Sequence, residues 1–103
     1  MDSHSVRAQG ASRKVKIAGI EFDNVEYDSR GDVLYLHVGD PASAVDFDGT
    51  AEGDGARYGP DGSLVGLTIL NARARFQEQG GKIELTFPER RIVVGDLARI
   101  LAA

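Results

Sequence analysis

Tyr-Asp-Ser-Arg-Gly-Asp-Val-Leu-Tyr-Leu, residues 27–36, and Tyr-Gly-Pro-Asp-Gly-Ser-Leu-Val-Gly-Leu, residues 58–67, follow one plan. In each, an aromatic residue ends a strand, a glycine stands four positions later, and an apolar strand begins within two residues of that glycine. Two hairpins of the same build decide for a β architecture. In the first turn Asp28 can accept from backbone amides two residues on, and Gly31 suits the left-handed position of a type I turn with a bulge. In the second, Pro60 presets φ and Gly62 supplies the positive φ. The copies share geometry and not chemistry, since Asp28 corresponds to Gly59 and Tyr35 to Gly66. A third echo, Phe76 to Leu85, keeps the aromatic-to-glycine spacing without a turn carboxylate.

The return strand of the first hairpin places Leu34, Leu36 and Val38 on one face and Val33, Tyr35 and His37 on the other. Both faces are substantially apolar, which predicts a strand in the interior of its sheet. In the second hairpin Val65, Leu67 and Ile69 share one face, opposite Leu64, Gly66, Thr68 and Leu70. Gly66 in mid-strand predicts the close approach of another backbone or a large side chain.

Upstream, Val15 and Ile17 alternate with polar neighbours, and the phase slips at Gly19 and again at Asp23-Asn24, each a turn or a bulge. Residues 40–56 are the least patterned, with Val45 and Phe47 either a short strand or pins for a loop. Residues 71–80 read two ways. Ala72, Ala74 and Phe76 alternate with Arg73 and Arg75 as a strand would, while Asn71 as N-cap and a terminal Gly80 favour a short helix, the preferred reading. Ile83, Leu85 and Phe87 alternate as a strand, Ile92 to Val94 form another, and Asp96 can cap a last helix bearing Leu97, Ile100 and Leu101. The fold class is therefore mainly β: an antiparallel hairpin and meander sheet with a short C-terminal helix.

At 103 residues the chain has room for one modest core, read as a mobile arm over residues 1–13 and a single β-rich domain over 14–103. There is no cysteine, so disulfide and thiolate chemistry are excluded. No apolar run approaches a membrane span and no signal-like segment opens the chain, so a cytoplasmic protein with no membrane contact is the expectation. The net charge of −4 is uneven: residues 21–61 carry a balance of −9, between basic flanks of +3 and +2. Such a middle section repels phosphates, so nucleic acid is not an expected partner.

Catalysis finds little footing. The two histidines are His4, in the arm, and His37, beside Tyr35 on one strand face. A His–Tyr pair can move a proton, but a packed sheet histidine is the plainer reading, and no enzyme or cofactor is expected. Arg73 and Arg75, with Arg90 and Arg91, are the basic clusters of the patterned chain, and Tyr35, His37, Arg73 and Arg75 are the candidate binding residues. Asp46, Asp48, Glu52 and Asp54 are the candidate metal ligands, since hard cations take several oxygens from a flexible loop. Their spacing is not that of an EF-hand.

Tyr27-Asp28, then Asp32-Val33-Leu34-Tyr35-Leu36, followed by Asp61-Gly62 and Gly66-Leu67-Thr68-Ile69-Leu70, resembles the small prokaryotic family called domain of unknown function 2283, over roughly residues 23–72. Tyr58-Gly59 stands where that family usually has Tyr-Asp, and Thr68 where an acidic residue is common. The resemblance implies a small hairpin protein without an established activity. Analogy to two-gene operons of the toxin–antitoxin sort implies a protein partner. An exposed strand edge and an apolar second sheet face add the expectation of a homodimer. Two functions follow: a non-catalytic interaction or regulatory module, or a small-molecule or divalent-metal binder using the acidic loop 46–54.

Overall fold

The computed structural model describes residues 14–102, so the arm read over residues 1–13 lies outside the described residues. Nine strands and two short helices follow one another along them. Strands β1 (Val15–Ile17) and β2 (Ile20–Phe22) form a hairpin closed by Ala18 and Gly19, both at positive φ, 54° and 83°. That is the twist a two-residue turn between right-twisted strands requires, so the first phase slip is a turn. Asp23 sits at the second slip, where its carboxylate accepts the Gly39 amide at 3.0 Å.

Five strands make the main sheet: β3 (Asn24–Asp28), β4 (Val33–His37), β5 (Asp46–Gly49), β6 (Gly55–Tyr58) and β7 (Leu64–Leu70), in the order β3-β4-β7-β6-β5. All neighbours are antiparallel. Strand β4 is interior, as its two apolar faces require. Consecutive hairpins account for every link but one. Between β4 and β5 the chain crosses to the far edge through a 3-10 turn, Pro41–Ser43, and the β5-β6-β7 meander returns β7 to the side of β4. This is Greek-key order.

Beyond β7 lie helix α1 (Ala72–Glu78), strands β8 (Ile83–Thr86) and β9 (Arg91–Val94), which pair as a hairpin, and helix α2 (Ala98–Leu101). The segment that the sequence left between strand and helix is thus a helix. Phe76 lies within it, so the third echo of the hairpin pattern is not a hairpin. The helix ends on Gly80 and Gly81, whose amides donate to the carbonyls of Gln77 and Phe76 at 3.3 and 2.7 Å in a Schellman pattern.

Its start corrects two readings. Asn71 adopts a left-handed φ of 53° and makes no side-chain cap. The cap comes instead from the first hairpin turn, where Asp32, and not Gly31, takes the left-handed conformation at φ 56°. Its carboxylate accepts from the amides of Arg73 at 2.6 Å and Ala74 at 3.1 Å, and its carbonyl from Ala72 at 3.0 Å. Burial is the largest single influence on this carboxyl and raises its pKa. The Arg73, Tyr27 and Ala74 donors together outweigh it and hold the group below its ordinary value. Asp96 likewise stands at φ 59° and does not cap α2 through its side chain.

The core lies on one face of the main sheet. Leu34, Leu36, Leu67 and Ile69 cluster there with Val15, Ile17 and Phe22 of the β1–β2 hairpin, Ile83, Leu85 and Val94 of the β8–β9 hairpin, and Leu97, Ile100 and Leu101 around α2. Among the described residues no helix is long and apolar enough to cross a membrane.

Candidate functional site in the outer sheet face

A sheet with its core on one side turns every second side chain the other way. Register carries one row across all five strands: Asn24, His37, Gly66, Arg57 and Phe47. The next row holds Glu26, Tyr35, Thr68 and Gly55. None of the described elements packs over this outer face, and it leaves Tyr35 43%, Phe47 65% and Leu70 41% exposed.

Gly66 is the floor of the first row. A Cβ there would stand 2.8 Å from Cδ2 of His37 and 3.3 Å from Cβ of Arg57, so side chains from both neighbouring strands lean over the glycine. This is the close approach predicted for Gly66. Beside these two side chains opens a cavity of about 210 Å³, lined by Asn24, Glu26, Tyr35, His37, Arg57 and Thr68 among others. The Arg57 guanidinium lies 5.4 Å from the centre of the Phe47 ring, a cation–π contact that holds it at the rim.

His37 is only 7% exposed. Its Nδ1 lies 3.3 Å from the carbonyl oxygen of Gly39, and its Nε2 is buried without a hydrogen-bond partner. A carbonyl only accepts, so Nδ1 carries the proton and Nε2 presents a lone pair in the neutral ring. A buried polar atom left unmade costs about 1–3 kcal/mol. Among the described residues, His37 Nε2 is the one buried side-chain nitrogen or oxygen without a hydrogen-bond partner.

The other candidate residues fall elsewhere. Arg73 and Arg75 do not form a solvent-facing basic patch. Arg73 donates through Nε to the carbonyl of Leu101 at 2.6 Å and lies 5.4 Å over the Tyr27 ring. Arg75 is 13% exposed at its side chain and pairs with Asp54 at 2.7 Å, while also donating to the carbonyls of Leu70 and Glu84 at 3.0 and 2.8 Å. Asp54, 1% exposed, accepts further from the Thr50 hydroxyl and the Leu70 amide, both at 3.0 Å.

Nor does the structure bring the four acids together. Glu52 reaches the end of β8, where its carboxylate accepts from the Thr86 amide and hydroxyl at 2.8 and 2.7 Å. Burial alone would raise the Glu52 pKa most, but the two Thr86 donors lead a set of hydrogen bonds that lowers it on balance. Asp46 and Asp48 lie on edge strand β5, each accepting the amide of the next residue, Phe47 at 2.9 Å and Gly49 at 2.8 Å. Among the described residues no group of three or more histidine, aspartate or glutamate side chains is placed to hold a metal ion.

Of the residues around this cavity, the sequence singled out Tyr35 and His37 as binding candidates and did not single out Asn24, Glu26, Arg57 and Thr68. These meet only through cross-strand register. Arg57 stands opposite Gly66 beside a register shift between Arg57 and Tyr58, which no local pattern announces.

No curated protein and no solved structure matches the chain. A protein family of unknown function, DUF2283, matches residues 24–73. The match opens on the first residue of β3 and closes on Arg73, whose amide Asp32 caps, and it takes in the whole main sheet. Residues 24–73 thus match the DUF2283 family, over the two hairpins whose motifs implied it.

Proposed function

We propose that the protein is a non-catalytic interaction module of regulatory kind, with the outer face of the main sheet as its contact surface. What supports this reading is the exposure of Tyr35, Phe47 and Leu70 on one face of the main sheet. Single exposed apolar residues are ordinary, but a group of them on one uncovered face marks a contact surface. The partner is a second protein, encoded beside this one as in the two-gene operons of the family analogy, in a prokaryotic cytoplasm. Until that partner arrives the same face is available to a second copy, and the free chain is a homodimer.

Co-purification with the neighbouring gene's product at low salt tests the reading. Tyr35→Glu and Phe47→Glu should each abolish retention with the melting temperature held. Val93→Glu, at a residue 58% exposed on β9, should leave it intact. Equal loss from all three variants, or from none, overturns the choice of face. Light scattering on the free chain checks the homodimer, which the same two glutamates should dissociate.

A further inference from the structure

The outward rows of the main sheet are uneven in charge and in height. Their acids, Glu26 and Asp28, stand on β3 and their arginine, Arg57, on β6, with β4 and β7 between them. Glu26 and Arg57 are exposed and line one cavity, yet they form no ion pair with each other, and no other ion pair takes up either among the described residues. Along the row Glu26, Tyr35, Thr68, Gly55 and Gly49, the β3-β4 half carries long side chains and the β7-β6-β5 half short ones or none. Tyr35, 43% exposed, ends the tall half.

Two copies that meet through one surface patch do so about a two-fold axis lying in the interface. For sheets stacked with their strands aligned, that axis runs across the strands or along them. Across the strands, β3 covers the partner's β3, so the acids fall over acids and the tall halves of the rows collide. Along the strands, and passing between β4 and β7, the same operation lays β3 over the partner's β6 and β4 over the partner's β7. Tyr35 and Thr68 are register partners, so each Tyr35 ring then comes down on the partner's Thr68, beside the bare backbone of the partner's Gly55. Glu26 faces the strand that carries the partner's Arg57, two residues and roughly 7 Å away along it, within reach of the two side chains together.

We propose that the outer face docks a second copy of this chain about a two-fold axis parallel to the strands. Each Arg57 pairs with the partner's Glu26, and each Tyr35 seats on the partner's Thr68 and Gly55. The proposal rests on the open-face reading above and fixes how the two copies lie. An exposed ion pair adds little affinity, but this one is made twice and selects the axis, because the other axis opposes like charges.

The full chain is followed by sedimentation equilibrium at low salt. Glu26→Arg and Arg57→Glu should each weaken the dimer by at least about tenfold, since each opposes like charges twice. Mixing the two variants should restore a dimer within about threefold of the native affinity, because every crossed contact then joins opposite charges. A chain carrying both substitutions should self-associate as the native chain does. If a reversed charge prevents folding, Glu26→Gln and Arg57→Gln carry the test: each should weaken the dimer, and the two together no more than either alone.

Rescue in the doubly substituted chain without rescue on mixing would place the ion pair within one chain and overturn the proposal. A dimer tightened by Glu26→Gln would place the axis across the strands and overturn it too, as would a native chain that stays monomeric. Loss of the dimer in Tyr35→Glu with no change in the charge variants would overturn the pairing and leave the face reading standing. Retention of the neighbouring gene's product is a separate measurement and judges the face even where the dimer fails.

Discussion

Asp54 and Asp32 show what a single carboxylate does when the fold surrounds it with donors. Asp54 is buried against Arg75, so removing the arginine strands a charge out of water. Arg75→Met should cost about 3–5 kcal/mol in urea unfolding, and adding Asp54→Asn should recover part of the loss, because the neutral amide can still accept from the Leu70 amide through its oxygen and donate through its NH2 to the Thr50 hydroxyl oxygen. A double variant less stable than Arg75→Met would contradict this. Asp32 is the gentler case. Its carboxyl is held below its ordinary value in the folded chain, so the stability it contributes is complete above the unfolded pKa of about 4 and is lost as pH falls through the lower folded value. Asp32→Asn keeps a side chain that tolerates positive φ and removes the charge. It should lower stability by about 1 kcal/mol at neutral pH, and the gap from the native chain should close as the pH falls below that range. A gap that stays constant from neutral to acid pH would mean the charge is not the source.

Among the elements, edge strand β5 explains why acidic residues gather where the sequence offered a metal loop. An edge strand exposes unpaired amides to any passing strand. On β5 the Phe47 and Gly49 amides are already taken by Asp46 and Asp48, two carboxylates that also repel an incoming edge. Asp46→Ser with Asp48→Ser should therefore leave the fold intact but raise the rate of aggregation, followed by light scattering at neutral pH; an unchanged rate would remove this role. Most of the β architecture was legible because turns and alternation are local signals: Gly19, Gly62 and the 2-residue period around Tyr27 and Leu67 each point to a strand end or a face. What escaped was long-range. Helix α1 was ambiguous because its cap is supplied from some forty residues earlier by Asp32. Arg73 and Arg75 read as a basic patch because charge density along the chain says nothing of which helix side meets the core. Half of the candidate site was legible for the same reason that half was not. Tyr35, His37 and Gly66 follow from alternation within a strand, while Arg57 and Thr68 depend on which strands become neighbours.

For the whole molecule, dispersal of the acidic loop carries a direct consequence. With Glu52 held by Thr86 and Asp54 by Arg75, calcium or magnesium should leave the melting temperature unchanged, since a cation that binds the native state must stabilise it. A rise with cation concentration would show that a site does assemble. The outer face and the core are two sides of one five-stranded sheet, so the glutamate variants on Tyr35 and Phe47 alter contact without reaching the packed side. Strand order has a further effect in time. As the chain leaves the ribosome, β4 emerges with only β3 beside it, and its other neighbour, β7, is not complete until Leu70. At typical synthesis rates of about 5–20 residues per second, that flank stays open for a few seconds. During that interval the most apolar strand of the first hairpin, Val33–His37, is the nascent chain's point of greatest exposure to chaperones and to its neighbours on the same message.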